Sequence, residues 1–248
     1  MIKYDPLIFR FKEVESTNKT LNSLLAQQDV PEFSVVIAQG QSAGRGYNGN
    51  SWESLPGNNL TFSFLLNPHF IEVNCQFSIT QLVSLSLFEL LNRYTADISI
   101  KWPNDIYYRD SKICGVLIEN TLTGNRISSC VVGIGLNLNQ TSFSSFLPNP
   151  VSLKDITGDT YSVEAMMNQF MAILIENYLK WYELGDVNHF YNDYMLKLYR
   201  GDNYYKYEDE SGVFKAKPLL VKPSGHLLLK RSDGTVKEYS FKELKFII

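Results

Sequence analysis

Two stretches, residues 113–120 and 126–137, run as nearly continuous apolar and β-branched residues. A strand with one wet face alternates, so runs of this kind need cover on both sides and imply a buried sheet with helices packed on it. The helices are available. Residues 17–28 place Leu21, Leu24, Leu25 and Ala26 in helical rhythm, residues 76–94 form a long helix, and 163–184 and 187–199 form two amphipathic ones. Further strands are predicted at 7–14, 34–39, 60–66 and 98–102, with Ser16 or Thr17 capping the first helix. The fold class is α/β (α+β): a mixed, largely buried β-sheet flanked by helices.

Residues 140–153 shift to Ser, Thr, Asn and Pro around Phe143 and Phe146, the composition of a loop. Beyond Gly201 the pattern becomes short strands broken by Glu-Ser-Gly, Pro-Ser-Gly and Ser-Asp-Gly, a hairpin-rich all-β module. The domain boundary is placed near Arg200, giving 1–200 and 201–248. Charge divides close to it: residues 1–196 hold 12 basic and 19 acidic side chains, residues 197–248 hold 11 and 7. The basic tail suits lysine-protected strand edges, or a surface for an acidic partner.

The net charge of −3 argues against general nucleic-acid binding, and 44% hydrophobic residues supply an ample core. No basic, apolar leader and no membrane-length apolar run is visible, so a cytoplasmic protein without a membrane partner is expected. Cys75, Cys114 and Cys130 are odd in number and lack metal-ligand spacing; buried thiols are expected.

Chemistry concentrates between Gly44 and Glu119. Gly44-Arg45-Gly46-Tyr47-Asn48-Gly49-Asn50-Ser51-Trp52 is a glycine loop whose backbone can approach a ligand and whose arginine can fork onto a carboxylate or phosphate. Lys101-Trp102-Pro103-Asn104-Asp105-Ile106 sets a cation, an amide and a carboxylate around a proline-stiffened turn, and Lys112 and Gly115 follow. Such a cluster suits a reaction between two anionic substrates. Two like unit charges 4 Å apart repel by roughly 4 kcal/mol at an effective dielectric of about 20, so cations are required where they meet.

G-R-G-x-x-G-x-x-W, K-W-P-N-D-I and K-x-x-G-V-L-I-E, with Ser16-Thr17-Asn18, Gln41 and Gly133-Ile134-Gly135-Leu136-Asn137-Leu138-Asn139 in the same order, resemble the catalytic domain of biotin–protein ligases. The resemblance implies a biotin/lipoate-ligase-type catalytic domain followed by a small SH3-like, β-barrel-like module. It implies activation of biotin by ATP as biotinyl-5′-AMP and transfer to a lysine of a biotin carboxyl carrier domain. Lys112 and Arg45 are then the catalytic residues. Ser16, Thr17, Asn18, Gln41, Gly44, Arg45, Gly46, Tyr47, Trp52, Lys112 and Gly115 are the biotin-binding set; Arg45, Trp52, Lys101, Asn104, Lys112 and Asn137 the nucleotide-binding set; and Asp105 a ligand for Mg²⁺. ATP, Mg²⁺ and biotin are the required small molecules, with no tightly bound prosthetic group, and the expected assembly is a monomer or homodimer.

Two departures from the family pattern stand out. Tyr47 and Asn50 replace loop arginines that many relatives carry, which shifts loop closure onto Arg45. The catalytic motifs also begin close to Met1, where some relatives have a DNA-binding helix-turn-helix domain, so a short form without a DNA partner is expected. The rival readings are a lipoate or octanoate ligase or transferase of the same fold, and a non-catalytic biotin-binding protein. The first lacks K-W-P-N-D; the second leaves Lys112 and Arg45 as poor packing residues.

Overall fold

The computed structural model describes residues 5–248. Seven strands form one mixed sheet in the order β1-β2-β3-β7-β6-β5-β4. They are β1 (Ile8–Val14), β2 (Val35–Gln41), β3 (Leu60–Leu66), β4 (Ile98–Lys101), β5 (Asp105–Tyr108), β6 (Ser111–Thr123) and β7 (Arg126–Leu136). The edge pair β1 and β2 is parallel and every other neighbour is antiparallel.

The two faces of this sheet are built differently. On β3, Phe62 and Phe64 point to one side, where α2 (Phe77–Leu91) and α4 (Val163–Leu184) pack on each other and on the sheet as the main core. Thr61, Ser63 and Leu65 point to the other side, where α1 (Thr17–Leu25) lies over β2, β3 and β7. Leu21, Val36, Leu65 and Val131 make a small second cluster beneath that helix. The register places Gly133 and Gly135 of β7 beside Ser63 and Thr61, with Leu117 and Gly115 of β6 opposite them. Beyond the reach of α1, this face is therefore floored by backbone rather than side chains.

Helix ends follow local chemistry. Ser162 caps α4 by accepting from the Ala165 amide, and Gly185 closes it at φ 64°, a conformation that favours glycine. The short α3 (Leu153–Thr157) opens on a capping box of Ser152 and Asp155. Ser16 stands at the N-cap of α1, but its side chain makes no capping bond, contrary to the expected role.

Sequence and structure differ at three further places. A short strand, β5, follows the Lys101–Asp105 turn where none was predicted. The helix expected over 187–199 contracts to α5 (Tyr191–Leu196), because Ile100 donates to the Lys197 carbonyl and Tyr199 donates to that of Ile100, drawing the chain to the edge of β4. Cys114 and Cys130 are buried, whereas Cys75 is half-buried.

A second, antiparallel sheet follows, ordered β11-β10-β9-β8-β12: β8 (Tyr205–Asp209), β9 (Gly212–Val221), β10 (Leu227–Arg231), β11 (Val236–Tyr239) and β12 (Lys245–Phe246). Its buried Tyr207, Leu227, Leu229 and Tyr239 belong to the same core cluster as Phe77 and Tyr194, so apolar packing runs unbroken between the sheets. Trp102 Nε1 donates to the Gly225 carbonyl at 2.8 Å across the junction. No helix among the described residues is long and apolar enough to cross a membrane.

Candidate active site

The glycine loop folds back on itself as a narrow hairpin. Gly46 donates to the Asn50 carbonyl at 2.7 Å, Trp52 donates to that of Gly44 at 2.9 Å, and residues 47–49 turn at the tip. Trp52 then lies on the glycine floor. A Cβ at Gly135 would stand 2.3 Å from the Trp52 ring and one at Gly133 would stand 2.2 Å from Asn18 Oδ1, so both positions require glycine. The result is a cavity of about 90 Å³ bounded by α1, the loop, and the floor of β6 and β7.

One end of the cavity is a buried polar network. The Thr17 amide and hydroxyl donate to Gln41 Oε1 at 2.8 and 3.2 Å, which fixes the amide's orientation and leaves its NH₂ as a donor at the cavity wall. Ser63 Oγ lies 2.7 Å from Thr17 Oγ1 and 2.6 Å from Asn18 Oδ1. Asn18 Nδ2 donates to Glu119 Oε2 at 2.9 Å, and Arg45 pairs with Glu119 Oε1 at 2.9 Å. Ser16 lines the cavity without spending its hydroxyl on the helix.

At the other end Lys112 Nζ contacts Asp105 Oδ1 at 2.7 Å and sits 5.6 Å from the centre of the Trp52 ring. The Lys112 backbone is clamped as well: its amide donates to the Asn149 carbonyl at 2.7 Å, and its carbonyl accepts from Val151 at 3.0 Å. The end of the 140–153 loop thereby braces this lysine. The same loop leaves Phe146 94% exposed.

Of the residues singled out from the sequence, Ser16, Thr17, Asn18, Gln41, Arg45, Gly46, Tyr47, Trp52, Asn104, Asp105, Lys112 and Gly115 line this cavity. Gly44 stands just behind, its Cα packed under the Trp52 carbonyl. Two are elsewhere. Asn137 turns its amide to the Val151 carbonyl at 3.2 Å and is absent from the cavity wall, because it follows the last residue of β7 and braces the returning loop. Lys101 points away, 5.0 and 4.9 Å from the ring centres of Tyr107 and Phe246, and burial lowers its pKa. It lines a separate opening of about 520 Å³ with Lys242 and Lys245. Tyr107, beneath it, is pushed up to about 12, chiefly by burial.

Ser63 and Glu119 complete the polar network, and neither was among the expected site residues. Their signals were present: Ser63 alternates with Phe62 and Phe64 on β3, and Glu119 ends the K-x-x-G-V-L-I-E segment. A larger cleft of about 560 Å³ adjoins the cavity, sharing Tyr47, Asn104 and Phe241 with it and reaching Ser224 and His226 of the second sheet. As for a metal, no group of three or more His, Cys, Asp or Glu side chains is assembled among the described residues, and the Asp105 carboxylate is paired with Lys112. Such a donor set fits Mg²⁺ only as an ion carried largely by substrate phosphates.

The chain is similar to several known proteins. The chain is 29% identical over 233 residues to the bifunctional ligase/repressor BirA of Bacillus spizizenii, covering 92% of this chain and 70% of that protein. It is 28% identical over 153 residues to the biotin–[acetyl-CoA-carboxylase] ligase of Paracoccus denitrificans, covering 59% and 61%. The biotin protein ligase of Aquifex aeolicus, solved in complex with biotin and ATP, superposes with a TM-score of 0.78 at 28% identity over 97% of this chain and 99% of that one. Residues 10–137, which contain the floor, the loop and Lys112, match the model of the biotin/lipoate A/B protein ligase family, and the chain belongs to that family.

Proposed function

We propose that this protein is an ATP-dependent biotin–protein ligase whose two anionic reactants meet at Lys112. The observation that carries the reading is one cavity with a buried amide and hydroxyl network at one end and a lysine beside a half-buried carboxylate at the other. The first end suits a ureido ring, which presents both donors and an acceptor. Leaving such groups unpaired costs about 1–3 kcal/mol each. The Gln41 NH₂ and the Ser16 hydroxyl are the uncommitted groups there, while Thr17, Asn18 and Ser63 hold them in place.

In the first step a biotin carboxylate oxygen bonds to the α-phosphorus of ATP, and the bond from that phosphorus to the bridging oxygen breaks to release pyrophosphate. Lys112 exchanges its Asp105 partner for the two incoming anions, offsetting the repulsion that opposes their approach. In the second step the unprotonated amine of an acceptor lysine bonds to the acyl carbon, the carbon–oxygen bond breaks, AMP departs, and the amine loses a proton. Trp52 excludes water from the mixed anhydride by covering the floor. Asp105 would be the carboxylate available to a Mg²⁺ ion brought in with the nucleotide, and such an ion would supply charge neutralisation. Lys101, turned onto Tyr107 and Phe246, stands outside this cavity and stays with Lys242 and Lys245 at the second opening.

The acceptor is a biotin carboxyl carrier domain, met from the side of the basic C-terminal module, and the setting is the cytoplasm. Residues 1–200 act as the catalytic unit and 201–248 as a module docked on it. The test is incubation with ATP, biotin and a carrier domain, followed by intact-mass measurement. A biotinyl adduct on the carrier lysine is expected. An adduct with lipoate or octanoate in place of biotin would move the protein to the other branch of its family, and no adduct with any of them would leave a binding protein.

A further inference from the structure

Most of the glycine loop's anchors lie near its base or on the floor: Trp52 under the loop, the Gly44 and Trp52 backbone pair, and Arg45 on Glu119. Its tip reaches in a different direction. The Tyr47 ring meets that of Phe241 edge to face, with centroids 4.4 Å apart at 83°. Phe241 lies between β11 and β12 of the second sheet and packs on Trp102 at 6.1 Å, the tryptophan whose indole donates to Gly225. It therefore touches both motif segments at once, and it borders the cavity and the two clefts beside it.

We infer that Phe241 is a positioning residue: through Tyr47 it holds the tip of the glycine loop over the cavity, so that loop closure depends on the second sheet being docked. A short hairpin tip with little burial of its own opens freely unless something outside the loop restrains it. Tyr47 is 39% exposed, and among the described residues Phe241 supplies its aromatic partner. The replacement of a loop arginine by tyrosine acquires a physical purpose in this arrangement. A ring can latch onto another ring without drawing on the anions in the site.

The inference deepens the ligase reading, yet its first test involves no substrate. Amide hydrogen exchange across residues 44–52 is compared in the full chain and in Phe241→Ala, Tyr47→Ala, the double variant and Tyr47→Phe. Either alanine is expected to speed exchange at Gly46 and Trp52 by about three- to tenfold, the equilibrium equivalent of one edge-to-face ring pair. The double variant is expected to add nothing further, and Tyr47→Phe to match the parent. If Phe241→Ala also strips protection from β9 and β10, Tyr47→Ala decides alone, since it lies outside that sheet. Parent-like exchange in Tyr47→Ala, or a double variant equal to the product of the singles, overturns the latch. With biotin, ATP, carrier and a bystander protein, the ratio of bystander to carrier labelling is expected to rise in the same variants. Absence of any labelling by the parent, with exchange as expected, removes the ligase reading and leaves the latch standing.

Discussion

Two carboxylates, one in each sheet, show how polar clusters of similar composition serve different ends. Asp209 in the small sheet has a side chain 1% exposed and saturated: it accepts from Arg231 at 2.6 Å, Tyr239 at 2.9 Å, Lys237 at 3.1 Å and the Ser211 hydroxyl and amide. Burial alone would raise its pKa, but these donors outweigh that effect and hold it well below the usual carboxylate range. Asp105 in the large sheet has one ion-pair partner, Lys112; Asp209 borders an opening too, so it is the number of donors spent on each carboxylate that separates them. A saturated cluster has nothing to offer a ligand and serves the fold. A pair that keeps donor capacity unspent beside a cavity is suited to exchanging partners with one.

The comparison is broken most decisively at Lys112. Lys112→Ala is expected to lower biotin-dependent ATP–pyrophosphate exchange by about 10²- to 10³-fold while the melting temperature changes little. Exchange within tenfold of the parent would mean that this pair, too, is structural. Asp209→Ala should do the reverse, costing about 2 kcal/mol of stability because several donors lose their acceptor, with the chemical step left intact in whatever fraction stays folded. Denaturant midpoints and single-turnover adenylation separate the two effects. Since the folded pKa of Asp209 is depressed, its stabilisation is complete above the ordinary aspartate value of about 3.9 and is lost as pH falls through the folded value. The stability gap between the parent and Asp209→Asn should therefore narrow on acidification below that value, and a gap independent of pH would reject the assignment.

Smaller effects sharpen the contrast within the site. Arg45 spans from the loop to Glu119, so Arg45→Gly should still form the adenylate but release it, labelling bystander lysines about tenfold more than the parent does. Bystander labelling as silent as that of Lys112→Ala would place Arg45 in the chemistry rather than in containment. Least in magnitude, the 140–153 loop should gain exchange protection when biotin and ATP are both present, as Phe143 and Phe146 close over the base. Unchanged protection would leave Phe146 an exposed ring without a role.

Much of this was legible in the sequence, and the exceptions have physical causes. The apolar run of β7 announced a strand buried over most of its length, whereas β6 is buried only at Ile113, Cys114 and Val116, because α1 covers part of that face and leaves the rest open; α4 spans the residues its helical rhythm predicted. The strand β5 escaped notice because four residues after a proline turn carry too little pattern to outweigh the turn. Helix rhythm over 187–199 was overruled by unpaired backbone at the edge of β4, a partner that exists only in the folded molecule. The cavity's membership followed from the motifs, but direction did not: Lys101 and Asn137 sit beside residues that face inward, yet they face elsewhere. Glu119 and Ser63 reveal their purpose only when the register sets them on the same face as Gly133.

That face carries an asymmetry for the drift of specificity. Substituting a glycine of the floor adds atoms where Trp52, Lys112 or Asn18 lies, and no substitution there can remove any. At these positions the floor can become shallower through a single methyl group, but it has no side chain there to lose. A descendant that accepts a bulkier acid would have to gain the room from side chains, at the loop and its Trp52 or at Leu117, while loss of the large ligand can begin at any of Gly115, Gly133 or Gly135.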